Sequence, residues 1–365
     1  MEGRICFFNS ARIWGGGEKW HLEAAGVLHR NGHNVLLVAN GQGQLYKRAV
    51  AQGIPAVALD VRNLSFLNPF KLLKTRSLFR RHHVDVVVMN LPADLKLAGV
   101  AAKWAGVEKI IYRRGSAIPI RSTRLNRWLL GTVVTAIIAN SNETRNTILQ
   151  RDPRITNPGK IRVIYNGIDV KHYDGLPSGP LYERRPGEIV IGNAGRLSFQ
   201  KGQDLLLQAA ALLERQGLDF KLLVAGEGKL RQALEQQAAR LGIAHRVAFL
   251  GFVENIKAFM ESLDIFALPS RWEGFGYALA EAMASGKPIV AFEVSSNPEL
   301  VEDGVTGTLV PRDDVAGMAQ AILELARAPE LRRTFGSAGR QRVEQKFDFE
   351  TNLRQVSALL HEQGI

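Results

Sequence analysis

Cysteine is nearly absent: Cys6 is the single one in 365 residues. One thiol closes no disulfide within the chain and builds no cysteine metal site, so a reducing compartment is expected. Between Ile5 and Phe7 it reads as a core strand residue and not as a nucleophile. No apolar run approaches the ~20 residues that cross a bilayer, and the start MEGRICFFNS lacks the pattern of a secretion signal. These absences lead us to expect a cytoplasmic protein, or one on the cytoplasmic face of a membrane. Short repeats, heptads and low-complexity tracts are missing too, which excludes solenoid and fibrous architectures. No Asp-x-Asp pair or histidine cluster offers metal ligands, so none is expected to bind; His82 and His83, side by side, have no metal-ligand spacing.

What the chain has is charge of one sign, unevenly placed. The formal net charge is +12; residues 1–180 hold 26 Lys and Arg against 11 Asp and Glu, and residues 181–365 hold 21 against 24. A basic half beside a near-neutral half suggests two domains, as does a length beyond one typical core. The basic half points to an anionic partner, whether membrane surface, nucleic acid or phosphorylated substrate. Short apolar runs alternate with helical patterns in both halves. They lie at 5–8, 35–39, 84–89, 109–112, 136–139 and 161–164, then at 189–191, 221–225, 247–250, 265–268, 289–292 and 308–310. Continuous apolar strands separated by helices read as parallel sheets covered on both faces. The polar stretch 169–188, with its prolines and glycines, marks the break. The expected fold is α/β, with two Rossmann-like doubly wound parallel-sheet domains facing a central cleft. The expected division is 1–170, a linker over 171–187, 188–346, and a last segment over 347–365.

Ligands of such sheets sit beyond the carboxyl ends of the strands, and unusual residues follow the strands here. GGGEKW, residues 15–20, opens the first helix, and Gly15, Gly16 and Gly17 let backbone approach a ligand closely. It is no dinucleotide fingerprint, because the G-x-G-x-x-G spacing and an acidic ribose partner after the second strand are both missing. NAGRLSFQKG, residues 193–202, puts Arg196 and Lys201 at a turn before a helix, a cation pair suited to a diphosphate. SRWEGFGYALAEAMASGKPIV, residues 270–290, holds two glutamates eight residues apart. On one helix they would be rotated by about 800° onto different faces. Glu273 is therefore placed in a loop, and Glu281 in a helix that begins near Gly276 and stops at Ser285-Gly286. Among alanines, a buried Glu281 needs a polar partner. The free amides over 274–277 suit an anion or hydroxyls. Two basic stretches, 71–83 and 119–130, are amphipathic; membrane attachment would use Leu72, Leu78, Phe79, Trp128 and Leu129 as wedges, where the plainer reading is a solvated face.

These motifs carry a resemblance. LPSRWEGFGYALAEAMASGKPIVAFEVSSNPELVEDGVTGTLVP closely resembles the donor-site region of retaining family-4 glycosyltransferases of the two-domain GT-B fold, the glycosyl transferases group 1. GGGEKW, NSNETRNTI, VIYNGID, AGRLSFQKG, VAGEGK and VAFLGFVEN resemble further features of that family in the same order, so the likeness covers nearly the whole chain. The resemblance implies transfer of a hexose from a nucleotide diphosphate sugar to a glycan or glycolipid acceptor, with retention at the anomeric carbon and without metal or other cofactor. It implies an acceptor-binding N-terminal domain, a donor-binding C-terminal domain, and a final helix crossing back to the first domain.

Residue by residue, it implies that Glu273 binds donor-sugar hydroxyls with the amides of Gly274, Phe275 and Gly276, and that Glu281 holds the ribose hydroxyls. Arg196 and Lys201 resemble the diphosphate clamp, which makes Glu273, Arg196 and Lys201 the implied catalytic set. Gly16 and Gly17 resemble the loop that closes over donor and acceptor. Many relatives have a catalytic-loop histidine after the strand at 109–112; the loop here reads YRRGSAIP, so Arg113 or Arg114 is expected at that position. Polysaccharide or lipopolysaccharide assembly is the expected setting, with an anionic membrane surface as a further partner and no nucleic acid. A nucleotide-sugar epimerase of the same fold is the alternative. It would need acid and base groups in the strand-end loops, where the eight histidines do not convincingly fall. A non-catalytic basic membrane-binding protein is the more distant one, and it leaves the paired glutamates beside a cation pair unexplained.

Overall fold

The computed structural model describes residues 3–362. Two compact units divide the chain: residues up to Tyr165 together with those from Leu353 onward, and residues Asn166–Asn352. In the first unit β1 (Arg4–Asn9), β2 (Val35–Ala39), β3 (Ala56–Ala58), β4 (Val84–Met89), β5 (Lys109–Arg114), β6 (Ala136–Ala139) and β7 (Ile161–Val163) form a sheet ordered β3-β2-β1-β4-β5-β6-β7. In the second unit β8 (Ile189–Ala194), β9 (Phe220–Ala225), β10 (Val247–Gly251), β11 (Ile265–Leu268), β12 (Ile289–Phe292) and β13 (Gly307–Val310) are ordered β10-β9-β8-β11-β12-β13. The paired strands of both sheets run parallel. Burial explains their composition: every residue of β2, β6, β11 and β12 is buried, so neither face tolerates a polar side chain. Cys6 is fully buried, and burial pushes its thiol pKa up, as a core residue requires.

In both sheets the strand order reverses beside the first strand, between β1 and β4 and between β8 and β11. Adjacent crossovers leave in opposite directions there, and the space above the carboxyl ends is open to a ligand. The loops after β1 and β8 hold the glycine-rich and cationic motifs, and the loop after β11 holds Glu273.

Several expectations need correction. The edge strand β3 carries no strong apolar signal and was not anticipated. Strand β5 runs on through Arg113 and Arg114, so both are strand residues and both are buried, not loop residues. The first helix spans Gly16–Arg30, so Gly16 and Gly17, expected in a loop, lie in its first turn. The expected linker is partly ordered: Val170–Asp174 is helical, and the amides of Gly179 and Leu181 donate to Glu261 and Ser262 of the second unit. Leu72, Phe79 and Leu129 are 9%, 1% and 0% exposed and belong to the first unit's core, and Leu78 packs partly buried against it. Of the expected wedges only Trp128 is exposed.

Candidate functional site

The second unit brings the predicted donor residues together by joining two loops. Gly202, at φ +65, ends the turn Phe199–Lys201 and starts the helix Gln203–Arg215. From this turn Lys201 Nζ reaches Glu273 Oε1 at 2.6 Å, with side chains 18% and 6% exposed. Beside that pair, Arg271 donates to both carboxylate oxygens of Asp204 at 3.0 and 2.7 Å and lies 4.1 Å over the Phe199 ring. Gln200 exchanges two further bonds, its Nε2 donating to the Trp272 carbonyl at 3.0 Å and its own carbonyl accepting from the Arg271 amide at 2.8 Å. Charge-assisted, bidentate bonds of this kind fix geometry as well as adding energy. The loop that carries Lys201 and the loop that carries Glu273 therefore behave as one rigid body.

Gly226 and Gly228, from the motif VAGEGK, let the loop after β9 pack against this body. A Cβ on Gly226 would lie 2.0 Å from the Gly195 carbonyl, and one on Gly228 would lie 2.1 Å from that of Leu197. Arg196 is exposed and makes no ion pair among the described residues. The expected cation pair is thus unequal: Lys201 is neutralised by Glu273, and Arg196 supplies free positive charge.

Glu281 lies on the helix Tyr277–Ala284, which starts from Gly276 at φ +86, a conformation suited to glycine. Its side chain is half-buried, not buried as expected; Glu273 is the deeply buried carboxylate, at 4% exposure. Phe275 is 2% exposed, edge-on to Tyr277 and Phe347, so its ring belongs to the core. Gly274 is half-buried in the same loop.

The first unit gathers a second polar cluster, mostly of residues that sequence reasoning missed. Arg113 is 1% exposed; its guanidinium lies 4.3 Å from the Trp20 ring centroid and donates to Asn90 Oδ1 at 2.9 Å. Gly17 closes the other side of Asn90, where a Cβ would fall 2.5 Å from Nδ2. Gly17, Asn90 and Arg113 thus form one packed set, while Gly16 is exposed at the helix start. Arg114 turns elsewhere, donating to the Tyr112 hydroxyl at 3.4 Å and to the Ile118 carbonyl. Beneath Arg113, His21 Nδ1 lies 2.9 Å from the Gly17 carbonyl. Burial, then the Arg113 charge, pushes the pKa of His21 down to about 3, so the ring is neutral. The signal that could have found this cluster was positional: Asn9 ends β1, and Ser10 and Asn90 directly follow β1 and β4.

Asp94 ties these two strand ends together. It accepts from Ser10 Oγ at 2.5 Å and from the Leu91 amide at 3.1 Å, while Asn9 Nδ2 donates to Glu18 Oε1 at 3.0 Å. Burial pushes the Asp94 carboxyl up to about 7; the bonds from Ser10 and Leu91 oppose the rise and the Glu18 charge adds to it. A carboxyl raised on folding favours the folded state while protonated. Its contribution is complete below its unfolded pKa, near 4, and is lost as pH rises through about 7. His21 acts in the opposite sense below about 6.5, so the two largely mask each other in the wild type. The difference between wild type and Asp94→Asn removes His21 from the comparison. The variant should gain on wild type by roughly 1 kcal/mol per pH unit between pH 5 and 7. Urea midpoints at a series of pH values check this, and a pH-independent difference would refute it.

With this geometry in place, comparison with known proteins is informative. The family model described as Glycosyltransferase Family 4 matches residues 14–172, and that described as Glycosyl transferases group 1 matches residues 182–342. The chain is 27% identical to the GDP-mannose-dependent alpha-(1-6)-phosphatidylinositol monomannoside mannosyltransferase of Mycolicibacterium smegmatis, over 94% of each chain. It is 31% identical to the lipopolysaccharide core biosynthesis mannosyltransferase LpsB of Rhizobium meliloti, over 54% of this chain and 59% of the relative. Among solved structures it superposes on Anabaena Alr3699/HepE in complex with UDP and glucose with a TM-score of 0.84, at 25% identity, covering 98% of this chain and 99% of that one.

Proposed function

The chain belongs to the family-4 glycosyltransferases of the GT-B fold, and from that premise we propose that it is a retaining, metal-independent hexosyltransferase. Its donor is a nucleotide diphosphate sugar and its acceptor a glycan or glycolipid of cell-surface polysaccharide or lipopolysaccharide assembly. We place it in the cytoplasm, at the inner face of the membrane. The observation that carries the reading is the buried Lys201–Glu273 pair, held at the strand-order reversal of the second sheet by Arg271 and Asp204. Support for the donor comes from the complex of Alr3699/HepE with UDP and glucose, and for the acceptor from the phosphatidylinositol monomannoside and lipopolysaccharide core relatives.

In this reading Glu273 accepts from hydroxyls of the donor sugar, and backbone amides of Gly274, Phe275 and Gly276 donate to them. Glu281 accepts from the ribose hydroxyls. Arg196 and Lys201 stabilise the charge that builds on the departing diphosphate, a role served best by groups already in position. The acceptor hydroxyl attacks the anomeric carbon from the leaving-group face as the bond to the diphosphate oxygen breaks. Its proton passes to that oxygen, so no enzyme nucleophile is required. Of Arg113 and Arg114, Arg113 is the one that serves the first unit's share of the chemistry, together with Gly16 and Gly17, and it binds donor phosphate or an acidic acceptor.

A panel of nucleotide sugars, incubated with glycolipid acceptors with and without chelator, tests this. One donor should give product at the same rate under both conditions, because cations of the protein neutralise the diphosphate. Activity lost with chelator and restored by Mg²⁺ or Mn²⁺ would overturn the cation-clamp account.

A further inference from the structure

The first unit leaves an unusual stretch of surface uncovered. Leu64, Leu67, Phe70 and Leu73 are 69%, 65%, 80% and 52% exposed, and they follow one another at three-residue intervals along the turn Ser65–Leu67 and the start of the helix Pro69–Arg81. The opposite side of that helix, through Leu72, Thr75 and Phe79, is packed in the core, so this exposure is a second apolar face and not the core face. Arg76 Nε donates to the Trp104 carbonyl at 3.1 Å, and Trp104 is itself 54% exposed. Isolated exposed leucines need no explanation, but a run of four with an aromatic at its centre marks an interaction surface.

Charge identifies the partner. Residues 61–83 contain six Lys and Arg and no Asp or Glu. Among the cations Arg62, Lys74, Arg80 and Arg81 are exposed, whereas Lys71 is half-buried and bonds to the Asp60 carbonyl. A second copy docked by its own equivalent patch would set these cations against their counterparts, an arrangement that like charges oppose. An anionic lipid leaflet satisfies both halves of the surface, taking the leucines and phenylalanine into its acyl boundary and the cations at its phosphates. We propose that the segment 62–81 docks this protein on anionic phospholipid, with Leu64, Leu67, Phe70 and Leu73 inserted and Lys74, Arg80 and Arg81 at the headgroups.

The inference rests on the proposed membrane setting but not on sugar transfer. Its test is flotation of the full chain with vesicles of phosphatidylcholine, alone or mixed with phosphatidylglycerol, without any nucleotide sugar, so failure here and failure of the transfer reading are separable. Wild type should float with the anionic vesicles and not with the neutral ones, and rising salt should weaken it. Lys74→Gln, Arg80→Gln and Arg81→Gln should each lower partitioning roughly fivefold. Leu67→Ser with Leu73→Ser should remove the fraction that resists salt, without changing the thermal midpoint, since both side chains are exposed. Because Cys6 is buried, Phe70→Cys can carry an environment-sensitive fluorophore at a single reactive site; its emission should shift to the blue on anionic vesicles. No flotation at low salt, a probe that stays in water, or a wild-type dimer in light scattering that Phe70→Ser dissociates would each overturn the proposal.

Discussion

Lys201→Met should lower sugar transfer by two to three orders of magnitude and destabilise the protein by about 3 kcal/mol. The stability loss follows from what is left behind. Glu273 is 4% exposed, and its ammonium partner at 2.6 Å disappears while the carboxylate stays buried. Removing one member of a buried pair costs about 3–5 kcal/mol, and Lys201, at 18% side-chain exposure, places this pair at the low end. Glu273→Gln is milder for the fold, about 1–3 kcal/mol, because Lys201 can turn toward water. It should be as damaging to transfer, since the carboxylate to which the proposed mechanism assigns the sugar hydroxyls is gone. The double variant separates the two effects. Stability should recover toward wild type, because no buried charge lacks its partner, whereas transfer should not recover at all. Urea unfolding and initial rates on the four proteins check both halves. Parallel recovery of stability and rate would reduce the pair to a structural bridge.

Gly202→Ala should be strongly damaging to both stability and transfer. The added Cβ would lie 2.0 Å from the Pro269 carbonyl, which belongs to the backbone just before Ser270–Glu273 and has no rotamer to adopt. Strain at φ +65 adds about 1 kcal/mol and overpacking about 1–3 kcal/mol, so a loss of about 3 kcal/mol is expected. Transfer should fall with it, because relief of the clash moves the turn that carries Lys201 away from Glu273. Gly217→Ala is the control. It has φ +73 and no atom within 4 Å of the added Cβ, so it carries the strain alone, about 1 kcal/mol, with transfer intact. Equal effects of the two substitutions on stability and rate would show that the contact with Pro269 is unimportant.

The parts of the fold that could be read from sequence were those where one physical demand dominates. A parallel strand buried on both faces must be apolar throughout, and β2, β6, β11 and β12 matched their apolar runs end to end. Strand β3 has the pattern of intermediate burial at a sheet edge and leaves no such trace. Glu273 and Glu281 separated into loop and helix on helical geometry alone. The helix Pro69–Arg81 shows the limit. Its sequence offers two apolar faces, one through Leu72 and Phe79 and one through Phe70 and Leu73, and only packing against the helix Val100–Ala105 decides which is core. Arg113 was hidden for a related reason. A buried arginine is intelligible only once Trp20, on the distant helix Gly16–Arg30, lies against it. Asp94 was equally silent, because its partner Ser10 is 84 residues distant.

The measurement that tests the central claim most directly is proton NMR of the first product formed from an α-linked nucleotide diphosphate hexose. In the proposed mechanism retention follows from attack on the leaving-group face, with Arg196 and Lys201 holding the diphosphate and no nucleophile from the protein. The first-formed glycoside should carry the α configuration, and Glu273→Gln should slow its appearance without altering that configuration. A β-linked first product would contradict the account, because inversion requires attack from the opposite face.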